Sequence, residues 1–153
     1  MVRVNQLVQE LATLIRYQLP SHVRLVTHAS EELRCRVPED GIRQAVLNLV
    51  LNSVAVLGDA PGTVTIDVEY RNGALSIQVL DDGPGFPETL LSGGIRPFVT
   101  SRESGTGLGL AIVKRFARDL GGELTIANRT PRGARATLTL PCAREDVRHA
   151  LAD

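Results

Sequence analysis

The sequence lacks an excess of charge of either sign: seventeen Lys and Arg residues balance seventeen Asp and Glu. Without a basic excess, net charge gives no drive toward nucleic acid or an anionic membrane surface. A cysteine framework is also missing. Cys35 and Cys142 stand alone, with no metal-ligand spacing, and read as ordinary residues of a reducing compartment. No apolar run is long enough to span a bilayer, and the N-terminus carries neither a basic n-region nor a signal-type apolar core. The expectation is a cytoplasmic polypeptide, a membrane-anchored parent being left open. No Gly-Lys-Ser/Thr phosphate loop occurs, which argues against a P-loop enzyme. What is present is 153 residues, 43% of them hydrophobic, enough for one domain with a sizeable core.

Val4, Leu7, Val8, Leu11, Leu14 and Ile15 make an apolar stripe at helical spacing over residues 4–17, stopped by Pro20. Residues 23–27 alternate like a strand, and 33–37 form a shorter strand candidate after a polar turn. Pro38-Glu39-Asp40 opens a helix, because proline is tolerated in a first turn and acids complement the dipole. That helix runs to about Leu57, where Gly58-Asp59-Ala60-Pro61-Gly62 breaks it. Residues 63–70 and 74–80 alternate apolar and polar, and the Asn72-Gly73 pair between them signals a hairpin. Over 82–105 periodicity fades, at a length typical of functional lids rather than of ordinary connections. A helix over 107–120 ends at Gly121-Gly122. Strands over 123–128 and 134–140 follow, and 142–153 reads as a short helix or a frayed tail. This order predicts an α+β two-layer sandwich, a mixed sheet with its helices on one face.

Two stretches carry the chemistry. Asp81-Asp82-Gly83-Pro84-Gly85-Phe86 ends an apolar strand with two carboxylates and a glycine turn. Gly105-Thr106-Gly107-Leu108-Gly109-Leu110 leads into an amphipathic helix. Glycines let a backbone approach a ligand closely, and a glycine run opening a helix aims unpaired N–H groups at an anion. A fixed carboxylate beside a phosphate cradle suits a nucleotide. In the helix over 39–57, Gln44, Asn48 and Asn52 recur every four residues on one face among apolar neighbours. Asparagines in such surroundings cost desolvation unless they find partners, and an amide oxygen is a reasonable Mg²⁺ ligand.

Asn48-Leu49-Val50-Leu51-Asn52-Ser53, Asp81-Asp82-Gly83-Pro84-Gly85, Arg96-Pro97-Phe98 and the 105–113 glycine run resemble, in order, the N, G1, F and G2 boxes. Those boxes belong to the catalytic ATP-binding domain (Bergerat fold) of bacterial sensor histidine kinases, in the gyrase–Hsp90–histidine kinase–MutL superfamily. Residues 133–141 are similar to the family's closing strand, and 97–103 to the short lid of nitrogen-regulation-type kinases. The resemblance covers residues 20–141 and implies ATP and Mg²⁺ as ligands. It implies that Asp81 accepts from the adenine amino group, while Gly83 and Gly85 let the backbone pass close to the base. Asn52 would ligate Mg²⁺, and Asn48 would support the triphosphate or its ion. Gly105, Thr106, Gly107 and Gly109 would surround the phosphates, with Leu108 and Leu110 anchoring the lid and Phe98 packing it down. Arg102 sits where related kinases often carry a phosphate-reaching lysine, so Asn48, Asn52 and Arg102 are the catalytic candidates. Asp82 reads as a solvated turn residue, and Lys114, Arg115 and Arg118 as the solvated face of their helix.

Three departures stand out. Ala55 occupies a position where many kinases place Lys or Arg, and Ala134 replaces the usual threonine of the closing strand. No histidine is followed by an acid: His22 precedes Val23, His28 precedes Ala29 and His149 precedes Ala150. The resemblance therefore implies the ATP-binding half of a protein-histidine kinase, its acceptor histidine residing elsewhere. Implied partners are the dimerisation and histidine-phosphotransfer domain of the same parent and, indirectly, a response regulator. Nucleic acid and direct membrane contact are not expected, and the isolated domain is expected to be monomeric. Residues 1–19 are then a linker from the dimerisation domain or a domain helix, 20–141 the catalytic domain and 142–153 a tail. Two alternatives stay open: an anti-sigma-factor-type serine kinase and binding protein, and a degenerate nucleotide-binding regulatory module.

Overall fold

The computed structural model describes residues 2–29, 33–96 and 108–142, with the backbone of 144–145. In chain order these form β1 (Val2–Arg3), α1 (Val4–Gln18), β2 (Val23–Ala29), β3 (Arg34–Cys35), α2 (Glu39–Leu57) and β4 (Gly62–Arg71). Then come β5 (Ala74–Asp81), α3 (Glu88–Gly93), α4 (Gly109–Asp119), β6 (Glu123–Asn128), β7 (Ala134–Pro141) and β8 (Arg144–Glu145). The expected hairpin is β4–β5. Asn72 (φ 53°) and Gly73 (φ 78°) both take the left-handed region, which a two-residue primed turn requires. That turn pairs Arg71 with Ala74 and fixes the register down to Val64 and Asp81.

The main sheet has the order β2-β4-β5-β7-β6. Only the β2–β4 pairing is parallel; the others are antiparallel, so the sheet is mixed as expected. Alternation decides its faces. Val64, Ile66 and Val68 on β4, Leu75, Ile77 and Val79 on β5, and Ala136, Leu138 and Leu140 on β7 are buried. Against them lie Ile42, Ala45, Val46, Leu49 and Val50 of α2 and Leu110, Val113 and Ala117 of α4. α1 buries Val4, Leu7, Val8, Ala12 and Ile15, and Arg16 ties it to β2 by donating to the Leu25 carbonyl from Nε (3.2 Å) and Nη2 (3.1 Å). This is the α+β two-layer architecture.

Four details differ from the sequence reading. Leu14, a member of the apolar stripe of α1, is 62% exposed, because Ala12 takes the inward position instead. The stretch after Asp82 is not structureless: α3 occupies Glu88–Gly93, started after Pro87 and ended at Gly94 (φ 79°), too short for a helical period to register. The strand expected over 33–37 shortens to Arg34–Cys35. The tail expected as helix or frayed chain contributes β8, so that β1, β3 and β8 form a small antiparallel sheet of their own. Among the described residues no helix is long and apolar enough to cross a membrane.

Candidate functional site

Asp81 is the last residue of β5, and the period of two that buries Leu75, Ile77 and Val79 buries it too, at 2% exposure. A carboxylate taken from water needs donors. Among the described residues it has one, the Gly83 N–H, 2.9 Å from Oδ1. Its remaining lone pairs are spare acceptor capacity at the edge of the helix layer. Asp82 is exposed, and its Oδ1 accepts from the Thr63 N–H at 2.9 Å, so it pins the start of β4, a task the sequence did not reveal.

The turn that follows is held from the far edge of the sheet. Asn128, at the end of β6, accepts from the Phe86 N–H at 2.7 Å and donates to the Phe86 carbonyl at 3.1 Å. Arg129 Nη1 donates to the Asp81 carbonyl at 2.8 Å, and Arg132 Nε to the Gly83 carbonyl at 2.9 Å. The end of β6 and the segment that joins it to β7 therefore clamp residues 81–86 with four hydrogen bonds. Gly85 (φ 88°) lies against the Asn128 amide, where a methyl group would stand 2.8 Å from Oδ1. Its lack of a Cβ thus serves this clamp as well as any ligand. None of Asn128, Arg129 and Arg132 was singled out by the sequence. Nothing local marks them, since β7 separates β6 from β5 in the sheet.

Asn48 and Asn52 lie one turn apart on α2, both half-buried. The Asn48 Nδ2 is buried without a hydrogen-bond partner, and among the described residues its Oδ1 receives only a long 3.4 Å contact from Gln44 Nε2. Among the described residues the Asn52 side chain has no hydrogen bond. Val56, one further turn along this face, lies 3.7 Å from where a Gly83 Cβ would stand, with Leu57 Cδ2 at 3.2 Å. The asparagine face therefore runs toward the turn that presents Asp81.

The third wall is α4. It begins at Gly109 with Leu108 in the cap position, no side-chain cap and no acidic residue in its first turn. Its first amides and its dipole thus offer positive potential that no acidic side chain of its own first turn compensates. Leu110 is buried in the core, whereas Leu108 is half-buried and Gly109 has open space on its Cα. Lys114 departs from its expected solvated role: it is half-buried, and Nζ donates to the Ile95 carbonyl at 3.0 Å, tying the chain after α3 to α4. Arg115 and Arg118 are exposed as expected. Ala134 stands opposite Asp81 in the β5–β7 ladder, with both residues buried, so the hydroxyl missing there is missing beside the carboxylate. Ala55 is half-buried on α2. Phe98, Arg102, Gly105, Thr106 and Gly107 lie outside the described residues. No cluster of three His, Cys, Asp or Glu side chains able to hold a metal occurs among the described residues.

Comparison with known proteins follows the same outline. Residues 37–144 match the family described as histidine kinase-, DNA gyrase B-, and HSP90-like ATPase. The chain is 34% identical over 119 residues to sporulation kinase D of Bacillus subtilis, covering 78% of this chain and 23% of that protein. It is 30% identical over 167 residues to the sensor histidine kinase ZraS of Escherichia coli O157:H7, covering 91% of this chain and 36% of that one. The chain thus spans about a quarter to a third of the length of these curated relatives. Among solved structures, the catalytic domain of histidine kinase ThkA superposes with a TM-score of 0.82 at 28% identity, over 92% of this chain and 93% of that one. Full-length ShkA in complex with AMPPNP gives 0.83 at 25% identity, over 95% of this chain and 31% of that one.

Proposed function

The chain belongs to the histidine kinase-, DNA gyrase B-, and HSP90-like ATPase family, and from that premise we propose that it is the ATP-binding catalytic half of a sensor histidine kinase. Its reaction is transfer of the γ-phosphoryl group of ATP to a histidine on the dimerisation and phosphoacceptor domain of the same parent, from which a response regulator is served. The relative ZraS and the structural neighbour ThkA are histidine kinases by name, which argues against the anti-sigma-type serine kinase.

One observation carries the reading: a carboxylate 2% exposed, fixed at a strand end, with a single backbone donor among the described residues. Asp81 is suited to accept from the adenine amino group, and a guanine, which presents a carbonyl there, would meet repulsion. The unpartnered Asn48 Nδ2 is a donor for a phosphate oxygen, and the α4 N-terminus supplies further N–H groups for phosphate. The donor set fits Mg²⁺: the Asn52 Oδ1 is a hard oxygen with no competing partner among the described residues, and nucleotide phosphates would provide the other oxygens. Bound Mg²⁺ would neutralise phosphate charge during transfer. Arg102, Thr106, Phe98 and the glycines 105 and 107 complete the proposed lid and phosphate shell on the strength of the resemblance. Phosphoryl transfer asks mainly for positioning, so this half holds the nucleotide while the acceptor helix brings the nucleophile. We also assign α1 to the same packed unit, supported by its five buried side chains.

Calorimetric titration with ATP and with GTP, each with and without Mg²⁺, tests this. Adenine-selective binding strengthened by Mg²⁺ is the expected result. Equal binding of both nucleotides overturns the role of Asp81, and absence of binding leaves the degenerate regulatory module.

A further inference from the structure

The two cysteines, separated by 107 positions, do not stand alone: Cys142 Sγ donates to Cys35 Sγ at 3.0 Å. We infer that Cys35 and Cys142 are a thiol–disulfide site, closed by peroxide and reopened by a dithiol. Both backbones are held from either side. Cys35 lies in β3, paired with Val2 of β1 and with Arg144 of β8. Cys142 follows β7 directly; its N–H donates to the Gly73 carbonyl at 3.1 Å and its carbonyl accepts from the Tyr70 hydroxyl at 3.2 Å. A covalent bond needs the sulfurs about 1 Å closer, at about 2.05 Å, a shift that small side-chain rotations supply. Both are reduced thiols here, as a reducing compartment would keep them.

Exposure assigns the order of events. Cys35 is fully buried and Cys142 is half-buried, so peroxide reaches the Cys142 sulfur first. The Cys142 thiolate attacks one peroxide oxygen, the O–O bond breaks, and hydroxide leaves with the thiol proton as water. The Cys35 sulfur then attacks the sulfenic sulfur of Cys142. The S–S bond forms, the S–O bond breaks, and the hydroxyl leaves with the Cys35 proton as a second water. Two thiols lose two electrons and two protons, and one hydrogen peroxide becomes two waters. The bond would lock β3, which leads into the asparagine-bearing α2, to the end of β7. This site stands apart from the nucleotide reading and does not rest on it.

The test exposes the full chain to hydrogen peroxide, blocks remaining thiols in denaturant with an alkylating agent, and maps the peptides by mass. A linked Cys35–Cys142 peptide is expected, lighter by two hydrogens, unalkylated, and restored by dithiothreitol. The urea midpoint of the oxidised chain should rise by about 2 M, from the closed-loop entropy of a loop of on the order of 100 residues and a typical m-value. Cys142→Ser, at the half-exposed position, should abolish both the link and the shift. Cys35→Ser should leave Cys142 trappable by dimedone as a sulfenic acid; if this buried substitution unfolds the chain, the wild-type and Cys142→Ser maps decide. Two alkylated thiols after peroxide, a link between separate chains, or over-oxidation without a link each overturn the proposal.

Discussion

Replacing Gly133 by alanine probes how closely the β6–β7 connection is seated on the turn that presents Asp81. Gly133 has φ 119°, and a methyl group there would overlap the Asp81 carbonyl oxygen while standing 3.1 Å from the Asp81 carbonyl carbon and 3.2 Å from the Asp82 Cα. All three are backbone atoms, held by the Asp81–Ala134 register of β5 and β7. They cannot yield without opening the ladder. Gly73 is the internal control: its φ is 78°, but nothing lies within 4 Å of its added Cβ. Gly73→Ala therefore carries backbone strain alone, about 1 kcal/mol. Gly133→Ala carries comparable strain plus the displacement of packed backbone, at least about 3 kcal/mol in total. With an m-value of about 2 kcal/mol per molar urea, the midpoints should fall by about 0.5 M and by at least about 1.5 M. Urea unfolding followed by circular dichroism measures both at once. Equal midpoints for the two variants would refute the overlap and the seating it implies.

Asn128→Ala removes both hydrogen bonds to Phe86; because Asn128 is itself exposed, the expected loss is about 1–2 kcal/mol, read from the same urea curves. If the clamp positions the proposed base-binding turn, ATP affinity falls as well, and calorimetry showing both quantities unchanged would dismiss it. Asp81→Asn keeps an oxygen able to accept from the Gly83 N–H, so the unfolding midpoint should move little, while ATP binding should drop below detection. A variant binding ATP at wild-type strength would remove Asp81 from the site.

Much of the fold is legible in the sequence because the signals are local. The Asn72-Gly73 hairpin needs only two residues of left-handed backbone. The helix over 39–57 announces its start with Glu39 and Asp40 and its end with Gly58, and the observed α2 spans Glu39–Leu57. The alternation that buries Leu75, Ile77 and Val79 carries Asp81 to the same face by arithmetic alone. The sequence by itself thus determined the longer elements, the mixed two-layer architecture and which carboxylate comes to rest at a strand end, but not β1, α3 or β8. The tertiary structure alone decided which distant residues meet. Asn128, Arg129 and Arg132 reach the Asp81–Phe86 turn, 42 to 49 positions back along the chain, because β7 lies between β5 and β6. Cys35 and Cys142 meet because β3 and β8 close a second sheet that two-residue strands cannot signal in advance. Periodicity and turn chemistry act over a few residues, whereas strand order is settled by which faces bury best together, a property of the whole chain.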